Sequence, residues 1–407
     1  MEVMHRICAG MDVHKDSVVV CVRSMKGSKV DREVRTFSTM TSELLKLGDW
    51  LEERGCPIAV IEATGVYWKP VWQLLTQRVE LVLANAHEVR NVPGRKSDMN
   101  DATWLADLLA HGLVRASFVP PEPIADLRDL TRTRKQLSRE IVEHTQRIQK
   151  VLETCNIKLA SVATDILGAS GRAMLTAIIG GEDDPVKLAQ LARGTLRAKY
   201  GQLVEALRGR VRDHHRGLIA VHLRLIDSLQ EAIAGIEKQI EDALRPFAEA
   251  VALLETIPGV GATAARTIVA EVGVDMTRFP SAGHLRSWAG LCPRMDESAG
   301  KRRSTRLRKG NVWLKTMLVQ CAWAAIRKEG YLRALFLRIR ARQGAKKAIC
   351  AVAAAILTAV HGILRDHEPY RDLGADHFNR HDRQQTASRL ARRIRSLGYE
   401  VEMRPAA

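Results

Sequence analysis

The sequence predicts an α/β domain at the front, built on a mixed sheet with flanking helices, then a long helical middle and a mostly α-helical back. Three observations carry that reading. Strand and helix signals alternate over residues 6–112, strand signals vanish from Ile124 to about residue 250, and the rest is helical with glycine and proline punctuation. A chain of 407 residues is too long for one ordinary core, which agrees with several domains. Boundaries are expected at residues 1–120, 121–250 and 251–365, with a polar, Arg-rich tail over 366–407.

In the front region, ICAGMDV and SVVVCVR are β-rich runs separated by His14-Lys15-Asp16, which reads as a hairpin. REVRTFS is a third, shorter run. A helix starts at Thr41-Ser42-Glu43, PIAVIEA is a strand, and VYWKPVWQLLTQ is helical with a proline inside it. ELVLANA is another strand, and NDATWLADLLAHG is a helix closed by Gly112. The order β-β-β-α-β-α-β-α describes a mixed sheet flanked by helices. It is the order of RNase H-like nucleotidyl-transfer domains.

In the middle region Leu127, Leu130, Leu137, Ile141, Ile148 and Val151 fall on alternating three- and four-residue steps, with Arg134 and His144 in two seam positions. The stepping recurs in Ile226, Leu229, Ile233, Ile236 and Ile240. Two such tracts predict a helical hairpin or an intermolecular coiled coil. Amphipathic helices folded onto their own domain would give the same pattern.

Composition narrows the function classes. Hydrophobic residues make up 46% and charged residues 27%, the balance of a globular chain. The most apolar stretch, AICAVAAAILTAVHGIL, stops short of the roughly 18–20 residues of a membrane span and follows Lys346-Lys347, so it reads as a buried helix. MEVMHRICAG has no long apolar core, and no secretory signal is read there. Seven cysteines stand singly, without C-x-x-C, which argues against a zinc site or a disulfide framework and fits reduced thiols in the cytoplasm. The net charge of +17 points to a polyanion, with nucleic acid the usual one. Aromatics at 4% are too few for base stacking to be the main binding device.

Four acidic residues stand out. Asp12 ends the first strand run, Glu62 ends PIAVIEA, and Asp98 and Asp101 begin the helix that closes the domain, three residues apart and so on one face. In an RNase H-like sheet those strand ends and that helix converge. Cleaving a phosphodiester needs charge neutralised on the attacking and leaving oxygens, and divalent cations such as Mg²⁺ held by carboxylates supply it. Taken singly, such residues are more often turn formers or helix caps. Asp31, Asp49 and Asp107 read as solvated surface.

Further on, LETIPGVGATAARTIVAEVG matches a helix-hairpin-helix pattern. Gly259 and Gly261 free the backbone to turn, and amide N–H groups at the following helix start can bind a phosphate without reading a base. An ordinary helical corner would share the pattern. Downstream, Lys301, Arg302, Arg303, Arg306, Arg308 and Lys309 form a basic run. Ser298-Ala299-Gly300 precedes it as a small-residue turn able to expose a hydroxyl, and cations around a phosphate would stabilise developing charge. The nearest histidine, His284, is a helix away, which argues against a Ser-His-Asp triad.

The strings GMDVHK, IEATGVYW, KSDMNDA, IPGVG, GLCPRMDESAGK and RKGNVWLK run in order through the chain as far as about residue 365. Jointly they resemble insertion-sequence transposases of the IS110/IS1111 family, the DEDD-type serine recombinases, several of which are guided by a bridge RNA. The resemblance implies that Asp12, Glu62, Asp98 and Asp101 bind Mg²⁺ in a RuvC-like domain. It implies that Ser298 attacks DNA phosphate to give a covalent serine–DNA intermediate. It further implies a helical coiled-coil segment over about 124–250 that supports homodimers or homotetramers, and a non-coding RNA that pairs with both DNAs. The chain departs from the family where Ser298-Ala299-Gly300 replaces the usual Ser-Gly-Gly, and the tail after residue 366 has no counterpart. Ser304 lies nearby but out of register. Two rival readings share these features: a RuvC-like metal-dependent endonuclease working by hydrolysis, and a non-enzymatic basic architectural or RNA-binding protein.

Overall fold

The computed structural model describes residues 3–63, 65–86, 89, 92, 100–293, 296–298, 300–304, 306–380 and 383–402. It divides into two compact units, Met1–Val119 and Pro120–Ala407.

In the first unit, strands β1 (Ile7–Val13), β2 (Ser17–Lys26) and β3 (Lys29–Ser38) are followed by helix α1 (Thr41–Glu53), β4 (Ile58–Glu62), α2 (Trp68–Leu75), β5 (Glu80–Ala84) and α3 (Asp101–Ala110). The five strands form one sheet in the order β3-β2-β1-β4-β5. The three leading strands pair antiparallel, and β1, β4 and β5 run parallel. This is the mixed sheet read from the sequence. The third strand is longer than REVRTFS, beginning at Lys29 and pairing with β2 from Lys26↔Lys29 to Ser17↔Ser38. Its extra residues escaped the pattern because β3 is an edge strand with mostly exposed or half-buried side chains, so Lys29 and Asp31 need no apolar alternation.

Side chains alternate across the sheet. One face, with Met11, Val13, Val18, Val20 and Ile61, packs on Leu44, Leu47 and Trp50 of α1 and on Val71 and Leu75 of α2. The other face, with Cys8, Ile58 and Val60, packs on Leu105, Leu108 and Leu109 of α3. Here α3 lies hard against β1. A Cβ on Gly10 would stand 2.2 Å from the Ala102 carbonyl oxygen and 2.4 Å from the Ala106 nitrogen. The helix runs against the strand direction: the Met4 amide donates to the Ala110 carbonyl and the Cys8 thiol to that of Ala106. The N-terminus of α3 therefore points toward the end of β1 that carries Asp12.

Asp107 is not the solvated residue its sequence position indicated. Its carboxylate accepts from Arg23 Nε at 3.0 Å and from Arg32 Nη2 at 3.0 and 3.1 Å. The Arg23 side chain is only 3% exposed, and a guanidinium so buried needs an acid beside it.

The second unit opens with α4 (Glu122–Thr154), which is followed by a small helical cluster that includes α5 (Ala169–Ile179), and then by α6 (Asp213–Leu244). The cluster closes over the tip of the α4–α6 pair with its own core, including Leu152, Ile157, Leu175, Ile178, Leu203 and Ile219. Helices α4 and α6 pair with each other in antiparallel fashion, and both polar seam residues find partners within the chain. Arg134 donates to Glu237 Oε1 at 2.8 and 2.6 Å, and the Nδ1 atoms of His144 and His222 are 3.0 Å apart. Leu127, Ile148, Ile226 and Ile240 are buried, whereas Leu137, Ile141, Leu229 and Ile233 are half-buried.

Then come α7 (Ala248–Glu255), α8 (Ala262–Val272), α9 (Ala282–Trp288), the two-stranded hairpin β6 (Asp296–Ser298) and β7 (Lys301–Ser304), α10 (Val312–Ala325), α11 (Tyr331–Gln343) and α12 (Ala345–Asp366). Helix α12 is longer than its sequence run indicated. At 22 residues and a mean hydropathy of 1.9 it has the length and composition to cross a membrane, with 56% of its apolar window buried inside the protein. It packs on α9, α10 and α11. Here the apolar residues serve a helical core, which needs the same composition as a span.

Candidate functional site

The carboxylates of the first unit stand on the best-packed part of the sheet. In the parallel register of β1 and β4, Met11 lies beside Ile61, so one step on Asp12 and Glu62 come level at the ends of their strands. Both residues alternate onto the face covered by α3. Glu62 is buried at 8% exposure, and the Asp12 side chain is 18% exposed with His14 Nε2 at 3.2 Å from its Oδ2. Asp101 is the first residue of α3, capped by Asn100, whose side chain accepts from the Thr103 amide at 2.7 Å. Asp98 lies outside the described residues.

The donor chemistry of this set fits a hard divalent cation, because all the proposed ligands are carboxylate oxygens and two come from adjacent strand ends. Among the described residues, however, no group of three or more His, Cys, Asp or Glu side chains gathers closely enough to hold a metal ion. Asp12 and Glu62 are brought level by the sheet; Asp101 alone does not complete a ligand cluster with them.

The serine region is built differently. Ser298 ends β6, Lys301 begins β7 directly opposite it, and Gly300 at φ +72° turns the chain between them. Its backbone thus sits at the hairpin tip; the side chains of Ser298, Arg302 and Arg303 lie outside the described residues. Lys301, Arg306, Arg308 and Lys309 are exposed. The arms close at their base through a bridge between Pro293 and Leu307. Below that, Gly290 and Gly310 meet backbone to backbone: a Cβ on Gly310 would lie 2.4 Å from the Gly290 nitrogen. Asn311 then caps α10, accepting from the Leu314 amide at 3.0 Å.

One residue of this footing escaped the sequence reading. Glu271, on α8, has a fully buried side chain that accepts from Arg132 Nε and Nη2 at 2.8 Å each and from Asn311 Nδ2 at 2.6 Å. It ties α8, α4 and the start of α10 together. No local pattern marks it, since its partners lie 40 and 139 residues away in sequence.

The two glycines of the turn between α7 and α8 have different tasks. A Cβ on Gly259, at φ +83°, would lie 2.4 Å from the Cys321 carbonyl oxygen, so that glycine permits close approach to α10. Gly261 is the N-cap of α8, and a Cβ there would meet nothing within 4 Å. The Ser281–His284 contact, Oγ to Nδ1 at 2.8 Å, belongs to the cap of α9. Burial pushes the Cys8 thiol up to about 12 and those of Cys56 and Cys321 up to about 11, which keeps these cysteines protonated and inert as nucleophiles.

Comparison with known proteins follows the same two regions. A family model described as "Transposase" matches residues 9–157, and one described as "Transposase IS116/IS110/IS902 family" matches residues 251–337. The chain is 26% identical over 237 residues to the "Mini-circle putative transposase for IS117" of Streptomyces coelicolor, covering 52% of this chain and 56% of that protein. It is 27% identical over 296 residues to the uncharacterized 43.6 kDa protein of insertion element IS110 from the same organism, covering 67% of this chain and 72% of that one. The chain thus spans just over half the length of the first relative. The first match contains Asp12, Glu62, Asp98 and Asp101, and the second contains the hairpin glycines and Ser298. By these matches the chain belongs to the IS110 family of transposases.

Proposed function

We propose that this chain cuts and rejoins the DNA of a mobile insertion sequence, with Asp12, Glu62, Asp98 and Asp101 holding Mg²⁺ and Ser298 acting as the nucleophile. The observation that carries the reading is the parallel register of β1 and β4, which brings Asp12 and Glu62 level on the face where α3 begins. Bound Mg²⁺ would neutralise negative charge on the phosphate oxygens of the scissile bond. The remaining tasks fall to the chain's own residues. The Ser298 oxygen bonds to phosphorus as a phosphorus–oxygen bond to a DNA sugar breaks. The serine gives up its proton and the departing DNA hydroxyl gains one. One ester replaces another, so a hydroxyl of a second strand can reverse the step and rejoin the DNA. Lys301, Arg302, Arg303, Arg306, Arg308 and Lys309 hold the backbone and stabilise charge at the phosphate. Gly259 and Gly261 shape the turn that offers amide donors to a neighbouring phosphate.

The family resemblance adds a non-coding guide RNA, which selects DNA by base pairing, and action in the cytoplasm as a homodimer or homotetramer. Association through α4 and α6 is supported by the half-buried Leu137, Ile141, Leu229 and Ile233 and the exposed Val142, Val221 and Leu225.

The test incubates the protein with element-flanking RNA, donor DNA, target DNA and Mg²⁺, then resolves products on denaturing gels. A covalent protein–DNA species is expected that both Ser298→Ala and Asp12→Asn abolish. If Ser298→Ala still cuts DNA without an adduct, the enzyme is a hydrolytic endonuclease. If Asp12→Asn matches the wild type, the carboxylate role is wrong.

A further inference from the structure

In the second unit a cavity of about 480 Å³ opens between the start of α8, the first half of α4 and the start of α10. Its walls carry five cations, Arg132, Arg134, Lys135, Arg139 and Arg266, against the two acids Glu237 and Glu271. Both acids are engaged: Glu271 holds Arg132 at 2.8 Å, and Glu237 holds Arg134 at 2.6 Å. Lys135 and Arg139 lie one turn apart on α4, so they share a face. Neither has an acidic partner among the described residues. The Arg139 guanidinium instead lies over the Trp313 ring, 5.0 Å from its centroid. Stacking on an indole orients the guanidinium plane and leaves its N–H edge available.

Across the cavity stands the N-terminal end of α8. Gly261, Ala262 and Thr263 line it and are exposed, and Gly261 offers no side-chain cap. Amide N–H groups and the positive end of the helix dipole therefore meet two uncompensated cations and an open glycine. Lys135 is half-buried and Arg139 exposed, so an extended anion can reach both from solvent.

We propose that this cavity seats the phosphodiester backbone of a nucleic-acid strand, with Lys135 and Arg139 on one side of it and the first turn of α8 on the other. Such contacts position a strand without reading its sequence. The proposal rests on the reading of the chain as a nucleic-acid enzyme and extends it to α4 and α10, which carry none of the binding residues named from the sequence. Single-stranded DNA, duplex DNA and RNA share the chemistry, and the experiment separates them.

The full-length protein is titrated against labelled single-stranded DNA, single-stranded RNA and duplex DNA of one sequence, by fluorescence anisotropy over a range of salt. Lys135→Gln with Arg139→Gln is expected to weaken binding about tenfold at moderate salt and to lower the slope of log affinity against log salt by about 2. The probe whose slope falls is the strand that occupies the cavity. Thr263→Glu, tested separately, puts an acid in the first turn of α8. It is expected to weaken binding without lowering the melting temperature, since an acid there favours the helix dipole while repelling phosphate. That variant keeps the test decisive if the double variant folds poorly. Wild-type binding with unchanged affinity and slope in these variants would overturn the proposal and leave the recombinase reading standing. Absence of binding to any of the three probes would overturn both.

Discussion

The two regions that carry candidate chemistry are held in opposite ways. Asp12 and Glu62 end strands whose inward residues Cys8, Met11, Val60 and Ile61 are fully or almost fully buried, and α3 presses so closely that only a glycine fits at position 10. Ser298 instead ends a three-residue strand in a short hairpin, bounded by exposed cations and anchored at its base. The first arrangement holds two carboxylates on a closely packed sheet, the kind of footing that a cation site requires. The second carries its candidate serine at the tip of a short hairpin. Rigidity in the second unit lies below the hairpin, in the Glu271 network and the Gly290–Gly310 contact.

The largest stability effect expected is at that footing. Glu271→Ala leaves Arg132 and part-buried Arg128 without their acid, and a loss of about 3–5 kcal/mol is expected in urea unfolding of the second unit. A loss under 1 kcal/mol would show that the footing is not rigid and break the contrast. Next, Gly10→Ala drives a Cβ into the backbone of α3 and is expected to cost about 3 kcal/mol, read as early proteolysis of the first unit. Gly300→Ala meets no neighbour but must adopt φ +72°. About 1 kcal/mol is expected, with the helices of the second unit melting almost unchanged by circular dichroism. If it unfolded them, the hairpin would be part of the core after all.

The smallest effect concerns pH and sharpens the picture of the α4–α6 pair. Burial, and then the charges of His144 and Arg147, hold His222 below its ordinary value of 6.5. Its protonation is thus easier in the unfolded chain, so the stability it contributes is complete above about pH 6.5 and falls away as pH drops below that. A melting temperature that declines from pH 7.5 to 5.5, with the decline reduced in His222→Gln, is the expected result. An identical decline in the variant would remove the pair as its cause.

Much of this was legible because it was local. The strand-helix order of the first unit follows from alternation and punctuation, and the acids at the ends of β1 and β4 come level through the parallel pairing that such an order entails. What escaped was long-range. Asp107 looked solvated because Arg23 and Arg32 reach it from strands 84 and 75 residues earlier. Arg134 and His144 were visible as polar seam residues, but their partners Glu237 and His222 lie 103 and 78 residues on. Lys135 and Arg139 looked like ordinary helix-surface charges, since nothing along the chain says that Trp313 and the start of α8 stand beside them.

The main-chain clasp of Gly290 and Gly310 separates reach from foundation. Since the closure involves no side chain, the span between the two glycines can be lengthened or shortened in matched pairs while the helices below keep their seats. Two residues added to each strand would carry the tip outward by about 7 Å. Evolution, or an engineer, can therefore adjust how far this arm extends as a parameter in its own right.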